Sequence, residues 1–137
     1  MTSTIRTARP SDVESVLSLW TDSDAEPTHT DDSEGLNTLL ANDPEALAVA
    51  VDGTDIVGSV IAAWDGWRGS ICRLVVSPSH RRLGVASQLL AYAEARLTSV
   101  GAVRLQAIVF ETDPLAVGFW NATGWEEQVE RLRFVRG

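Results

Sequence analysis

Two arginines, Arg81 and Arg82, stand directly before what reads as the first turn of an amphipathic helix in the stretch SPSHRRLGVASQLLAYAEARL. A helix N-terminus already carries partial positive charge, so cations there are disfavoured by about 0.3–1 kcal/mol in an exposed setting. A bound anion resolves the conflict. The unpartnered N–H groups of a first helical turn bind phosphate well where small residues open the backbone, and Gly84 and Ala86 provide that access. With a pyrophosphate seated there, Arg81 and Arg82 become favourable counter-charges, and the Ser87 hydroxyl can donate one more hydrogen bond. Neither common nucleotide loop is present: the chain has no G-x-x-x-x-G-K-[ST] and no G-x-G-x-x-G after its first strand. Cys72 is the single cysteine, so no internal disulfide forms, and His29 and His80 lie too far apart in sequence to give metal-ligand spacing with it. There is also no G-x-S-x-G nucleophile elbow.

These groups sit in a chain of 137 residues, 45% hydrophobic, which suits one domain, 1–137, around a single core. A net charge of −8 argues against nucleic acid as a partner, because such binding needs a basic excess to displace counterions. A cationic or amine-bearing partner is easier to accommodate. Apolar runs such as DIVGSVIAAW are too short to span a bilayer, and MTSTIRTARPSD lacks the apolar stretch of a signal peptide, so no membrane association and a cytoplasmic location are expected.

The elements alternate. STIRTAR reads as a first strand. PSDVESVLSLW reads as a helix with Ser11 or Asp12 as N-cap and Val13, Val16, Leu17 and Trp20 on one face. A polar segment follows, carrying Asp22, Asp24, Glu26, Asp31, Asp32 and Glu34, the only acidic run in the chain. LNTLLAND reads as a short second helix, and EALAVAV and DIVGSVIAAW as a hairpin through Asp52-Gly53. After the turn DGWRG come the strand SICRLVV and a helix from about Gly84 to Ser99. The stripe of that helix is Val85, Leu89, Leu90, Ala93 and Leu97, with Gln88, Glu94 and Arg96 facing elsewhere. A strand AVRLQAIVF, a helix DPLAVGFWNATG and a final strand or bent hairpin WEEQVERLRFV complete the series. Strand, helix, strand around the arginine loop implies a parallel pair with a right-handed crossover. The class is α/β, a mixed, mostly antiparallel sheet with helices on both sides.

The run from Val76 to Ala86, V-x-P-x-x-R-R-x-G-x-A after an apolar strand and opening a helix, resembles the acetyl-CoA signature of the GCN5-related N-acetyltransferases (GNAT). Arg81, Gly84 and Ala86 meet its core pattern [QR]-x-x-G-x-[GA]. Three further agreements extend the resemblance over nearly the whole chain: the order of elements, the strand before the loop, and DPLAVGFWNATGW, which looks like the family's N-x-x-A-x-x-[FL]-Y-x-x-x-G-[FY] helix. The hairpin WDGWRGSICRLVVSPSHRRLGVA is similar to that of small bacterial members of the YpeA type. The resemblance implies six to seven strands, about four helices, and a parallel pair splayed around acetyl-CoA. It also implies direct transfer of acetyl to a primary amine of a small molecule or a peptide amino terminus.

By the same resemblance, backbone groups of Leu74, Val75 and Val76 pair with the pantetheine arm, and an N–H near Leu74 or Val75 polarises the thioester carbonyl. One such donor contributes roughly 2.7–4 kcal/mol in other enzymes. Arg82, Leu83, Gly84, Val85, Ala86 and Ser87 cradle the pyrophosphate, with Arg81 close by. Trp120 replaces the tyrosine that commonly protonates the departing thiolate, and with Phe119 is expected either to pack in the core or to line the pantetheine. Tyr92, the only tyrosine, lies inside the preceding helix. Asp113 replaces the family's asparagine and can cap its helix or serve cofactor or substrate. No histidine or glutamate occupies the centre of ICRLVV, which leaves Glu111, Asp113 and His29 as candidate bases, acting directly or through water. Weak base machinery suits an α-amino group, about 10–17% neutral at pH 7, better than a lysine side chain at about 0.04%. The acidic loop is where the family positions its acceptor, so His29, Asp31, Trp20 and Trp67 are candidate substrate residues, each also readable as loop, core or turn. A catalytically weak acyl-CoA-binding module is the alternative that Trp120 and Asp113 motivate, and a homodimer through a sheet edge is a third reading.

Overall fold

Alternation along the strands decides which helix covers which face. In the computed structural model, which describes residues 3–137, β1 (Thr4–Thr7), β2 (Leu47–Asp52), β3 (Asp55–Trp64), β4 (Gly69–Val76) and β5 (Leu105–Ala107) form one sheet in that order. The first four strands pair antiparallel, and β4 pairs parallel with β5 after the crossover helix. Leu47, Val49 and Ile61 join Val16, Leu19, Trp20, Leu36 and Leu40 in a core beneath α1 (Val13–Asp22) and α2 (Ser33–Asn42). Residues of opposite parity face α3 (Val85–Ser99), as period-two strands require. There a Cβ on Gly58 would lie 2.9 Å from Leu89 Cδ1, and one on Gly69 2.7 Å from Leu97 Cδ1, so both glycines let α3 approach the sheet closely.

Short polar contacts fix the element ends. The strand pair β3–β4 is closed by Asp65, whose Oδ1 accepts from Arg68 N at 2.6 Å and Trp67 N at 2.7 Å, and these N–H groups, Arg68 first, hold its carboxyl below the ordinary range. Asp12 does not cap α1 with its side chain, as the sequence suggested. A 3-10 turn, Pro10–Asp12, precedes the helix. The carboxylate instead takes Arg6 in two bonds of 2.7 and 3.1 Å, and the Arg9 N–H at 2.8 Å. The Arg6 hydrogen bond depresses the Asp12 pKa against the opposing effect of partial burial, and Arg9 adds to the lowering. The helix α2 begins earlier than expected, at Ser33, because Asp32 accepts from Gly35 N at 2.6 Å. Arg96 does not face solvent: it forms a two-pronged pair with Asp43 at 2.7 and 2.6 Å and donates to the Ala62 carbonyl, tying α3 to the C-cap of α2 and to β3.

The chain divides into two compact units, the first ending at Ala107 and the second being Ile108–Gly137. The second holds α4 (Pro114–Ala122), capped by Asp113 Oδ1 on Ala116 N at 3.1 Å. Here the expected six to seven strands are corrected to five among the described residues. AVRLQAIVF pairs only through Leu105–Ala107, and WEEQVERLRFV forms no strand. Its Leu132 and Phe134, exposed at 83% and 89%, keep a strand-like spacing without a ladder partner, and a strand exists only where its backbone is paired.

Candidate functional site

The pairing of β4 changes character halfway along the strand. Its parallel partnership with β5 ends at Ile71↔Ala107, so from Cys72 onward the edge away from β3 has no ladder partner among the described residues. On the β3 side the register slips: Ile61 faces Cys72 but Ser59 faces Val75, so Arg73 and Leu74 together oppose Val60 alone. This is a β-bulge. Arg73 takes φ 52°, a left-handed conformation that costs a non-glycine residue about 1–2 kcal/mol. Backbone groups of Leu74, Val75 and Val76 thus lie on a strand parted from its parallel neighbour, where an extended ligand arm can complete the pairing.

Several contacts hold the bulge. Ser59 is fully buried; its hydroxyl donates to the Arg73 carbonyl at 2.9 Å and accepts from Trp20 Nε1 at 2.8 Å. The Arg73 guanidinium lies 4.9 Å from the centroid of the Trp20 ring and forms an ion pair with Asp31, whose side chains are 13% and 18% exposed respectively. Asp31 in turn accepts from Thr28 N at 2.9 Å and Thr28 Oγ1 at 3.0 Å. The sequence reading missed Arg73 and Ser59. Their signal was polarity out of place: one arginine within CRLVV and one serine within DIVGSVIAAW.

Downstream, β4 leads through the 3-10 turn Pro78–His80 into the arginine loop. Arg82 and Gly84 adopt positive φ of 63° and 81°, turning the chain so that α3 starts at Val85, one residue later than expected. No side chain caps α3 and no acidic residue occupies its first turn. A Cβ on Gly84 would meet nothing within 4 Å, so the approach to these N–H groups is open. Arg81, Arg82 and Leu83 are exposed around them, with Ala86 half-buried, Ser87 exposed and Val85 buried as the stripe requires. Arg81 Nη2 reaches the Ser23 carbonyl at the C-cap of α1, at 3.4 Å. The residues present therefore fit the pyrophosphate of coenzyme A: open backbone donors within, cations without.

Other predicted residues are redistributed. Trp20 is core, 4% exposed, and supports the bulge from beneath rather than lining a mouth. Asp31 is neutralised by Arg73 and is not a free anion for an amine. Trp67, exposed with the Arg68 guanidinium 4.1 Å above its ring, occupies the turn at the opposite end of β4 from the loop. At about 3.3 Å per residue it is roughly 20 Å from Leu74, too far to share its site. His29 is exposed in the loop before α2. In the second unit, Glu111 is exposed in a turn, Asp113 is engaged as a cap, and Trp120 packs edge-on with Phe119 and Trp125 at 5.6 and 4.9 Å. Tyr92 OH pairs with Thr7 Oγ1 at 3.2 Å, away from the bulge, on the face α3 turns to the sheet. The Cys72 thiol is pushed up in pKa by desolvation, with Arg73 lowering it and Asp31 raising it, which disfavours a nucleophilic thiolate.

Known proteins resemble this chain in sequence and in fold. The acetyltransferase (GNAT) family model matches residues 13–125. An acetyltransferase of Yersinia enterocolitica is 34% identical over 124 residues, covering 90% of this chain and 88% of the relative. Among solved structures, Ard1 from Thermoplasma volcanium superposes with a TM-score of 0.80 at 22% identity, covering 90% of this chain and 82% of that one. The PaiA N-acetyltransferase from Thermoplasma acidophilum, in complex with coenzyme A, gives 0.80 at 14% identity over 93% and 92%. No helix among the described residues is long and apolar enough to cross a membrane. With its family model matched over most of its length and its relatives over nine-tenths, the chain belongs to the GNAT family and is an acetyl-CoA-dependent N-acetyltransferase.

Proposed function

We propose that the acceptor is a cationic primary amine of low pKa, on a small molecule or a peptide amino terminus, and that it is acetylated directly at the β4 bulge. The observation that carries this reading is the parting of β4 from β5 after Ile71, coupled to the bulge at Arg73–Leu74 and ending on an uncapped helix. Acetyl-CoA, when bound, supplies an acetyl thioester. The Leu74 N–H is the proposed donor to the developing oxyanion, Val75 and Val76 pair with the extended arm, and residues 82–87 with Arg81 hold the phosphates. Among the candidate bases, Asp113 already accepts from its own helix, while Glu111 and His29 are exposed and can take a proton directly or through water. Asp24 and Glu26 on the acceptor loop, with Asp22 at the end of α1 and Glu34 in the first turn of α2, remain exposed and supply the attraction for cations. One catalytic domain over 1–137 is part of the same proposal.

Thermal unfolding with coenzyme A, followed by free-thiol release across an amine panel, tests it. Coenzyme A at about 1,000 times its Kd stabilises by about 4 kcal/mol if it binds only the native state. Turnover is expected to favour α-amino groups over lysine side chains at pH 7. Coenzyme A binding without turnover of any amine would instead support a binding module, and an absence of stabilisation would remove the assigned cofactor site.

A further inference from the structure

We infer that Arg73 is a positioning residue that locks the acceptor loop to the β4 bulge, so that seating of the acceptor and the geometry of the oxyanion donor are set together. The inference rests on the reading of that bulge and loop given above. Arg73 is the one residue among these contacts whose main chain and side chain do different jobs. Its main chain is the strained member of the bulge, and its carbonyl is held by Ser59, itself held by the Trp20 indole. Its side chain lies over the same indole and pairs with Asp31 of the loop between α1 and α2, with Thr28 3.4 Å from the guanidinium. Trp20 therefore braces both ends of one residue.

Strain persists only where surrounding contacts over-determine it, and this arrangement supplies three: a carbonyl bond, a stacked ring and a largely desolvated ion pair. Removing one member of such a pair leaves its partner's charge poorly solvated, so the loop reorganises. Asp31 is then a latch for the loop rather than a contact for the amine. Reorganisation of residues 24–32 is expected to alter acceptor binding first, while coenzyme A, gripped from Arg82 to Ser87, is affected little.

The test combines Asp31→Asn, Arg73→Lys, Arg73→Gln and the double variant Asp31→Asn/Arg73→Gln, each checked for a cooperative thermal transition. The assay uses the best amine of the panel and coenzyme A as the binding probe. Asp31→Asn and Arg73→Gln are each expected to raise acceptor KM about tenfold, with the double variant also near tenfold rather than a hundredfold, because both remove one interaction. Arg73→Lys, which keeps the charge, is expected to recover most of the loss. Coenzyme A affinity is expected to stay within about threefold, and amides of 24–32 to exchange at least about tenfold faster in Asp31→Asn. Multiplicative effects in the double variant, or unchanged KM and loop exchange in both single variants, would overturn the latch. Failure of wild-type protein to acetylate any amine would count against the proposed acceptor reading instead. Hydrogen exchange of the free protein still decides the latch in that case.

Discussion

Ser59 shows how much a single hydroxyl can carry. It is fully buried between the Trp20 indole and the Arg73 carbonyl, so Ser59→Ala leaves a donor and an acceptor without partners. A loss of about 1–3 kcal/mol is expected, read as a lower urea midpoint at unchanged slope. A fall in kcat should accompany it, because the bulge beside Leu74 relaxes. Gly84 carries a different burden: its φ of 81° is left-handed, yet its Cβ direction is open. Gly84→Ala should cost about 1 kcal/mol of stability and, by crowding the phosphate approach, weaken coenzyme A about tenfold, measured by titration calorimetry. Of the two, Gly84 is legible in sequence by its motif, whereas Ser59 shows only as a polar interruption of an apolar strand. Periodicity names a face for Ser59 and says nothing of which indole waits there.

Between elements, two arginine–aspartate pairs act as cross-ties. Arg96–Asp43 joins α3 to the end of α2, and Arg96 also serves the Ala62 carbonyl, with side chains 11% and 20% exposed. Asp43→Ala leaves that guanidinium poorly paired, and a loss of about 3 kcal/mol is expected in chemical denaturation. A helical wheel places Arg96 off the apolar stripe but cannot foresee the aspartate from another helix that it meets there. Arg6–Asp12 ties β1 to the turn before α1. The Asp12 pKa is depressed, first by the Arg6 hydrogen bond, so the unfolded state binds the proton more readily. Its stabilisation is therefore complete above about pH 4–5 and is lost as pH falls through the depressed folded value. Unfolding free energy measured from pH 5 down to pH 2.5 should decline more steeply in wild type than in Asp12→Asn.

For the molecule as a whole, a net charge of −8 sets opposite salt dependences for the two substrates. Long-range attraction speeds a cationic amine and repulsion slows a polyanionic cofactor, and both are screened over about 8–10 Å near physiological ionic strength. Raising salt from 20 to 200 mM should lower kcat/KM for a dicationic amine several-fold while leaving or raising that for acetyl-CoA. An acceptor whose kcat/KM ignored salt would contradict the cationic assignment.

What spacing alone could state was whatever depends on neighbours in the chain. The V-x-P-x-x-R-R-x-G-x-A run, the stripe of α3, the β3–β4 hairpin and the asymmetric cap at Asp113 are all written within a few residues of where they act. They sufficed for the family and the fold class. Pairing is a different matter. Whether AVRLQAIVF runs nine residues or three, whether WEEQVERLRFV pairs at all, and where β4 leaves β5 depend on a partner strand distant in sequence. The same holds for charge: Asp31 in an acidic run looks like a lure for amines until Arg73, 42 residues on, takes it. Local periodicity records which way a side chain points, while long-range contact alone decides what it meets.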